Sequence, residues 1–162
     1  MKTLDYTGLD AAASAKTVAS LQQLLADFQV YYTNLRGFHW NIQGKGFFTL
    51  HSKFEEMYDD AAEKVDEIAE RILMLGGTPA NKFSDYLKVS KIKEVAGVVC
   101  EKEIVKIILD DIKALIAAER AILAQASEAG DETTVSQLND YLVEQEKLVW
   151  MLVAYSTCNC EG

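Results

Sequence analysis

Apolar residues recur every three or four positions along four long stretches of the chain, and this spacing constrains the fold most strongly. Such spacing places the apolar side chains on one face of an α-helix. With one proline and nine glycines in 162 residues, few positions can interrupt these helices. The stripes contain Val18, Leu21, Leu25, Phe28, Tyr32 and Leu35; Leu50, Phe54, Met57, Ala61, Val65, Ile68, Ile72 and Leu75; Val95, Val98, Val105, Ile108, Ile112, Leu115, Ile116 and Ile122; and Val135, Leu138, Leu142, Val149 and Leu152. The pattern predicts an all-α four-helix bundle.

The first predicted helix spans about residues 12–40, and the second ends at the Gly-Gly-Thr-Pro sequence of 76–79. The third spans about 94–128, although Gly97 weakens its first turns. Gly130 ends it, and Asp131 is placed to cap a fourth helix that reaches about Tyr155.

The connections between the predicted helices differ in length. Short loops at 41–47 and 129–131 predict antiparallel neighbours. The longer segment from Thr78 allows a crossover that makes the second and third helices parallel. Within it, FSDYLKVS predicts one short extra helix capped by Ser84.

Composition limits the class of protein. The length favours one domain over residues 1–162, and no stretch has the roughly eighteen apolar residues of a membrane helix. The opening MKTLDYTGLD lacks the pattern of a signal peptide, so we expect a cytoplasmic location. A net charge of −9 disfavours an extensive phosphate-binding surface and favours attraction of small cations.

The three cysteines, Cys100, Cys158 and Cys160, form no even disulfide framework and match no zinc-site spacing. In a reducing compartment we expect thiols. The terminal CNC sequence has donors suited to a soft metal, but fraying is the expected state of a chain end.

Metal-ligand side chains are grouped on the second predicted helix. Relative to His51, helical geometry places Glu55, Asp66 and Glu70 at about 40°, 60° and 100°, on one face. An ordinary solvated acidic face is the alternative interpretation. His51 and Asp66 are about 22 Å apart along a straight helix, so one chain cannot enclose a metal with both.

Two chains can form such a site. An antiparallel copy of the helix that crosses between residues 60 and 61 sets His51 opposite Glu70 of the partner subunit, and Glu55 opposite Asp66 of the partner subunit. Ala61 and Ala62 lie at this crossing, where small side chains allow close approach. If the first two helices form a hairpin, His39 joins the same site.

Imidazole and carboxylate ligands suit Fe(II), Zn(II) or Mn(II), and a small protein ligand set leaves positions open for water, dioxygen or peroxide. Trp40 is either an electron donor to a strong oxidant or, the favoured interpretation, a packing residue at the subunit contact. A ferritin-type centre inside one bundle is disfavoured because neither histidine follows a glutamate by three positions.

These residues resemble the Dps family, the miniature ferritins named DNA-binding proteins from starved cells. The similarity is carried by HWN at 39–41, a histidine twelve residues later, and D-x-x-x-E within DEIAERILMLGGTP. The segments DYLKVSKIKEV and EKLVWML extend it over nearly the whole chain.

The resemblance implies a ferritin-like bundle that assembles into a dodecameric homo-oligomer with ferroxidase sites at two-fold interfaces. It implies that the protein oxidises Fe(II) to Fe(III), preferably with hydrogen peroxide, stores ferric mineral and thereby limits oxidative stress. The family's ligands fall on His39, His51, Asp66 and Glu70, and the fifth, usually aspartate, is Glu55 here.

Other acids are candidates for roles in the cage that the resemblance implies. Asp131 and Asp140 are candidates for a three-fold pore. The candidates for mineral nucleation are Glu56, Asp59, Asp60 and Glu63. For each of them, an ordinary solvated position on the helix face is an equal alternative.

Two alternatives to a ferroxidase remain. Family members that bind DNA often carry a lysine-rich tail, but MKTLDYTGLD has one lysine and the chain ends in CNCEG, so direct DNA binding and nucleoid compaction are disfavoured. The second alternative is a purely structural helical oligomer whose acidic residues have no role in catalysis or metal binding.

Overall fold

The described part of the chain, residues 2–157, consists of six helices and no strand in this computed structural model. The four long helices are the four that apolar spacing predicts, so the all-α bundle is confirmed. The domain prediction over 1–162 stays a prediction. The helices are α1 (Leu4–Thr7), α2 (Ala11–Asn41), α3 (Phe47–Met74), α4 (Phe83–Val89), α5 (Glu101–Glu128) and α6 (Glu132–Thr157).

The side chain of Asp10 caps the start of helix α2. The Ala13 N–H donates to Asp10 Oδ1 at 2.7 Å. This bond satisfies one of the donors that every helix leaves unpaired at its start. The short helix α1, which the apolar spacing did not predict, ends at Gly8 in the left-handed region, with φ 73°.

The third predicted helix begins later than expected. Residues 94–100 precede α5 instead of forming its first turns, and Gly97 adopts φ 76°. The Val95 N–H, which a helix would use internally, donates instead to Asn34 Oδ1 at 3.0 Å. In this segment, a hydrogen bond to a side chain of α2 therefore replaces the backbone hydrogen bond of a helix.

The crossover between α3 and α5 follows α2 along its length. Gln22 Nε2 donates to the Thr78 carbonyl, and Asn34 Nδ2 donates to the Lys93 carbonyl. The Gln43 N–H donates to the Val99 carbonyl. The crossover thus returns the chain to the end of the bundle where α3 begins, so α3 and α5 are parallel.

The extra helix in the crossover is confirmed as α4, but its predicted cap is wrong. Ser84 lies inside α4, whose N-cap is Lys82 with no side-chain cap hydrogen bond. The helix is held by other contacts, since the Tyr86 hydroxyl donates to the Ala80 carbonyl at 2.6 Å.

Asp131 caps α6 as the sequence predicts. Its Oδ1 accepts the Thr134 N–H at 3.1 Å. The same oxygen accepts from Arg71 Nη2 on α3 at 2.5 Å, and Arg71 Nε donates to Thr134 Oγ1 at 2.8 Å. This buried cluster ties the start of α6 to the end of α3.

One apolar core joins α2, α3, α5 and α6, with Phe28, Phe54, Ile68 and Ile108 among its buried members. Burial of such side chains stabilises the bundle by about 1.5–3 kcal/mol each. Within residues 2–157, no helix has the length and apolar character needed to cross a membrane. Cys100 is an exposed free thiol, whereas the interpretations of Cys158 and Cys160 concern positions outside the described residues.

Candidate metal centre

The two histidines face each other across the hairpin between α2 and α3. His39 lies in the last turn of α2 and His51 in the first turns of α3. The His39 Nδ1–H donates to the His51 backbone carbonyl at 2.7 Å, and the His51 Nδ1–H donates to the His39 carbonyl at 2.8 Å. Each histidine therefore orients the other.

These bonds assign the ring protons. A carbonyl oxygen can only accept a hydrogen bond, so each Nδ1 must carry the hydrogen. The neutral ring then keeps the Nε2 lone pair, which is the form that binds a metal. The pair thus presents two nitrogen donors with fixed ring orientation.

Aromatic rings hold the histidine pair in place. The His39 and His51 rings stack with centroids 3.8 Å apart and planes 18° apart. Phe47 stacks on His51 at 5.0 Å, and Tyr58 meets His39 edge-on at 5.3 Å. With His39 only 8% exposed, the side of the pair toward the bundle is closed to water.

Of the three carboxylates predicted as ligands, one lies close to His51 along α3 and two lie far from it. Glu55 is exposed one turn after His51, while Asp66 and Glu70 are exposed farther along the same unbroken helix. At about 1.5 Å per residue, His51 and Asp66 lie about 22 Å apart. Within residues 2–157 of one chain, no three His, Cys, Asp or Glu side chains are grouped to hold a metal.

The two alanines predicted at the helix crossing, Ala61 and Ala62, differ in burial. Ala61 is fully buried in the core of its own subunit, so it cannot contact a second copy of α3. Ala62 is exposed and lies about 20° from His51 around the helix. Ala62 alone therefore remains as the small residue at the predicted crossing.

Trp40 extends away from the bundle. Its side chain is 64% exposed, and its ring lies 4.8 Å from the guanidinium carbon of Arg36. Phe48, at the start of α3, is 84% exposed. Contiguous exposed apolar patches mark association surfaces, so Trp40 stays a candidate packing residue at a subunit contact.

An open groove of about 710 Å³ lies between α3 and α6, and six of its fourteen lining residues are acids. Glu70, one of the candidate ligands, lines it together with the nucleation candidates Asp60 and Glu63. Glu56, another nucleation candidate, pairs with Lys53 at 2.7 Å, and Asp60 pairs with Lys64. The groove connects Glu70 with further carboxylates, which are hard oxygen ligands suited to iron.

Asp131 cannot line a pore as the sequence interpretation had it. It is 4% exposed and uses both carboxylate oxygens on Arg71 and Thr134. Asp140 is exposed and lines the groove between α3 and α6. Of the two pore candidates, only Asp140 has a carboxylate that can meet a passing cation.

A second polar cluster, which the sequence interpretation missed, lies inside the bundle. Glu119 is fully buried and accepts from Gln145 Nε2 at 2.6 Å. Burial raises the Glu119 pKa from 4.5 to about 7, against the opposing effects of Gln145 and Lys64. Lys64 pairs with Asp60 and Glu144, which raise its pKa despite its burial. Periodicity alone gives no signal for this cluster.

Sequence reasoning also missed three groups that contact the histidine rings, namely two backbone carbonyls and the Tyr58 ring. Nothing in the spacing identifies the backbone carbonyls of residues 39 and 51 as acceptors. Tyr58 was detectable in principle, because it lies seven residues after His51 and therefore on the same helix face. Burial raises the Tyr58 pKa, and the Glu55 and Asp59 carboxylates raise it further.

A four-helix bundle with a long crossover and a histidine–carboxylate helix face defines a ferritin-like protein. Residues 18–157 match the family model for the ferritin-like domain. The Dps crystal structure from Vibrio cholerae O1 superposes with a TM-score of 0.89 at 49% identity, covering 91% of this chain and 92% of that one. It is described as belonging to a broad superfamily of ferritin-like diiron-carboxylate proteins.

Sequence relatives narrow the class. The chain is 55% identical to the DNA protection during starvation protein of Porphyromonas gingivalis over 156 residues, covering 96% of this chain and 98% of that protein. It is 38% identical to DNA protection during starvation protein 2 of Bacillus anthracis, covering 86% and 96%. The chain belongs to the Dps family of the ferritin-like superfamily.

Proposed function

We propose that the protein is a ferroxidase and iron store that protects against oxidative stress. It oxidises Fe(II) to Fe(III), preferably with hydrogen peroxide, at sites shared between subunits of a dodecameric homo-oligomer, and keeps the ferric product inside the cage. The observation that carries this proposal is the reciprocal His39–His51 pair, which holds two nitrogen donors ready for a cation.

The proposed site takes its ligands from two chains. One subunit supplies His39, His51 and Glu55, and its partner supplies Asp66 and Glu70. Support comes from the position of these carboxylates, which are exposed on the same face of α3 as His51 but too distant to reach it within one chain. A two-fold axis near Ala62 would then create two equivalent sites.

The chemistry uses iron as substrate. Two Fe(II) ions each lose one electron, the peroxide O–O bond breaks as it accepts both, and hydrolysis of the ferric ions releases protons. The histidine nitrogens and carboxylates bind iron in both oxidation states, since both donor types suit it. The acids of the groove that contains Glu70 attract further cations and offer surfaces for mineral growth.

The proposal is tested by adding Fe(II) to the purified protein without air, then supplying peroxide or air separately. Ferric absorbance reports oxidation, and sedimentation reports the size of the particle. We expect rapid oxidation by peroxide, slower oxidation by air, and a particle of about twelve subunits. Oxidation no faster than that of Fe(II) in buffer would contradict the proposal.

Direct DNA binding is not part of the proposal. The net charge of −9 opposes the release of counterions from phosphates that drives such binding. A mobility-shift measurement with duplex DNA at neutral pH and low salt is expected to show no complex, whereas a salt-sensitive shift would restore nucleoid compaction as an alternative function.

A further inference from the structure

The hairpin that carries the two histidines is held from outside by the start of α5. Its loop, residues 42–46, lies beside the residues that lead into α5. The Gln43 N–H donates to the Val99 carbonyl at 3.1 Å, and the Gly46 N–H donates to Glu101 Oε2 at 3.0 Å. The loop is therefore fixed near both of its ends.

The hydrogen bond to Val99 leaves a backbone carbonyl available to the histidine pair. In a continuing α-helix, the Gln43 N–H would donate to the carbonyl of His39, four residues earlier. Helix α2 ends at Asn41, and the Gln43 N–H donates to Val99 instead. The His39 carbonyl then accepts the Nδ1–H of His51 at 2.8 Å.

The hydrogen bond to Glu101 caps the start of α3. Gly46 is the N-cap residue of α3 and has no side chain that could cap the helix. In a capping box, a Glu or Gln three residues later accepts the N–H of the N-cap residue, but that position is Thr49 here. Glu101 takes this role from another helix. The next residue, Phe47, stacks on His51 at 5.0 Å.

The space around Gly46 is closely packed. A Cβ atom at this position would clash with Glu101 Oε2 and with the Tyr155 hydroxyl. The Tyr155 hydroxyl also donates to Glu101 Oε2 at 3.4 Å, which is a long and weak hydrogen bond. The Glu101 carboxylate is thus the point at which the hairpin, the start of α5 and the end of α6 meet.

We propose that Glu101 is a positioning residue for the metal site. Its hydrogen bond to Gly46 holds the first turn of α3 and, through Phe47, keeps the His51 ring in the orientation that binds a metal. Glu101 acts through the backbone and is not itself a ligand. The metal-binding part of this inference rests on the proposed ferroxidase function, whereas the orientation of the rings does not.

The test compares tag-free wild type with Glu101→Ala, which removes the acceptor, and Glu101→Gln, which keeps an oxygen acceptor without the charge. Glu103→Ala is the matched control, because Glu103 is exposed in the same first turn of α5. The chain has two histidines, so histidine-selective ¹⁵N labelling reports His39 and His51 alone. Solid-state NMR at mildly alkaline pH, where a neutral ring is the ordinary form, identifies each tautomer without any metal. Anaerobic titration with Fe(II) then measures affinity.

We expect both rings of wild type and of Glu103→Ala to be the Nδ1–H tautomer. Glu101→Ala should show mixed tautomers for His51 and bind Fe(II) about tenfold more weakly, with its helix content retained. Glu101→Gln should restore both properties. A role in stability alone would leave the tautomers and the affinity of the folded protein unchanged. That result, equal effects of Glu101→Ala and Glu103→Ala, or no rescue by Glu101→Gln overturns the inference.

Gly46→Ala provides a second variant in case Glu101→Ala folds poorly. It keeps Glu101 but places a methyl group against the carboxylate, so it should disturb the His51 tautomer in the same way. A wild-type pattern in Gly46→Ala would contradict the proposed role of this contact. If wild type shows fixed tautomers but binds no Fe(II), the proposed function fails while the orientation of His51 by Glu101 is still tested by the NMR comparison.

Discussion

The His39 and His51 side chains each donate a hydrogen bond to the backbone carbonyl of the other, at 2.7 and 2.8 Å. The two bonds close the hairpin between α2 and α3 and direct both Nε2 atoms away from the backbone. Because each ring is oriented by a backbone carbonyl, the hydrogen bond that orients one histidine persists when the side chain of the other is replaced.

Replacement of His51 should separate packing from metal binding. His51→Phe keeps a flat ring between Phe47 and His39 and keeps the backbone carbonyl that orients His39, but it removes one nitrogen donor. We expect iron affinity to fall by about 10- to 100-fold or more, with helix content retained. Anaerobic Fe(II) titration and circular dichroism measure the two properties. Unchanged affinity would show that the histidine pair is a core feature and not a ligand pair.

Glu55 gives a test of the ligand that departs from the family's usual aspartate. Glu55→Gln removes the charge but keeps the size, so Fe(II) affinity and oxidation rate should fall about tenfold, while Glu55→Asp should retain most of both. Glu56→Gln is the control, since Glu56 pairs with Lys53. Equal behaviour of Glu55→Gln and Glu56→Gln in titration would exclude Glu55 as a ligand.

Buried Glu119 should make stability depend on pH. Because burial raises its pKa from 4.5 to about 7, the folded protein keeps a proton that the unfolded chain releases. The free energy of unfolding should therefore fall as pH rises from 4.5 to 7, by about 3 kcal/mol per chain, and this contribution should then level off. Asp111, whose pKa burial raises to about 6, contributes in the same direction.

The measurement is chemical denaturation at fixed protein concentration across this pH range, for wild type and Glu119→Gln. The variant should lose the share of the slope that belongs to Glu119 and be more stable than wild type above pH 7. Glu103→Gln, on the exposed side of α5, should keep the wild-type slope. Parallel curves for wild type and Glu119→Gln would mean that Glu119 is ionised in the folded protein.

Breaking the buried ion pair of Arg71 and Asp131 should reduce the free energy of unfolding far more than breaking a surface ion pair. Asp131→Ala leaves the Arg71 charge unpaired in a site where Arg71 is 7% exposed, so we expect a loss of about 3–5 kcal/mol in unfolding free energy. Asp110→Ala breaks the exposed Lys106 pair of 2.6 Å and should cost at most about 1 kcal/mol. Urea denaturation compares them, and similar losses would contradict the structural role of Asp131.

The sequence predicted those features that follow from periodicity and local chemistry. The apolar stripes of α2, α3 and α6 predicted their extents closely, and Asp131 was correctly assigned as a cap. The start of α5 was misjudged because Val95 pairs with Asn34, which lies 61 positions away in sequence. Such long-range pairing leaves no trace in a local pattern.

The candidate site likewise contains some features that the sequence predicted and others that it could not. The shared helix face of His51, Glu55, Asp66 and Glu70 follows from residue spacing, because α3 is one unbroken helix. The contacts of His39 with a backbone carbonyl and with Tyr58 depend on the hairpin, so spacing could not predict them. Burial of Ala61 and Asp131 likewise depends on packing between helices, which explains why their predicted surface roles were wrong.

The central claim is that each metal site is shared between two subunits. Two inactive variants provide the direct test: His51→Ala removes one half of the site, and Asp66→Ala removes the other. In a mixed dimer, one of the two sites combines the intact halves. Equal, random co-assembly makes about half of the dimers mixed, so about one quarter of wild-type sites should be restored.

The control mixes His39→Ala with His51→Ala, which damage the same half and cannot restore an intact site. The measurement is the rate of peroxide-driven Fe(II) oxidation by each co-assembled mixture. A rate near one quarter of wild type for His51→Ala with Asp66→Ala, and none for the control mixture, is the predicted result. A rate that stays at the level of the separate variants in both mixtures would contradict a site shared between subunits.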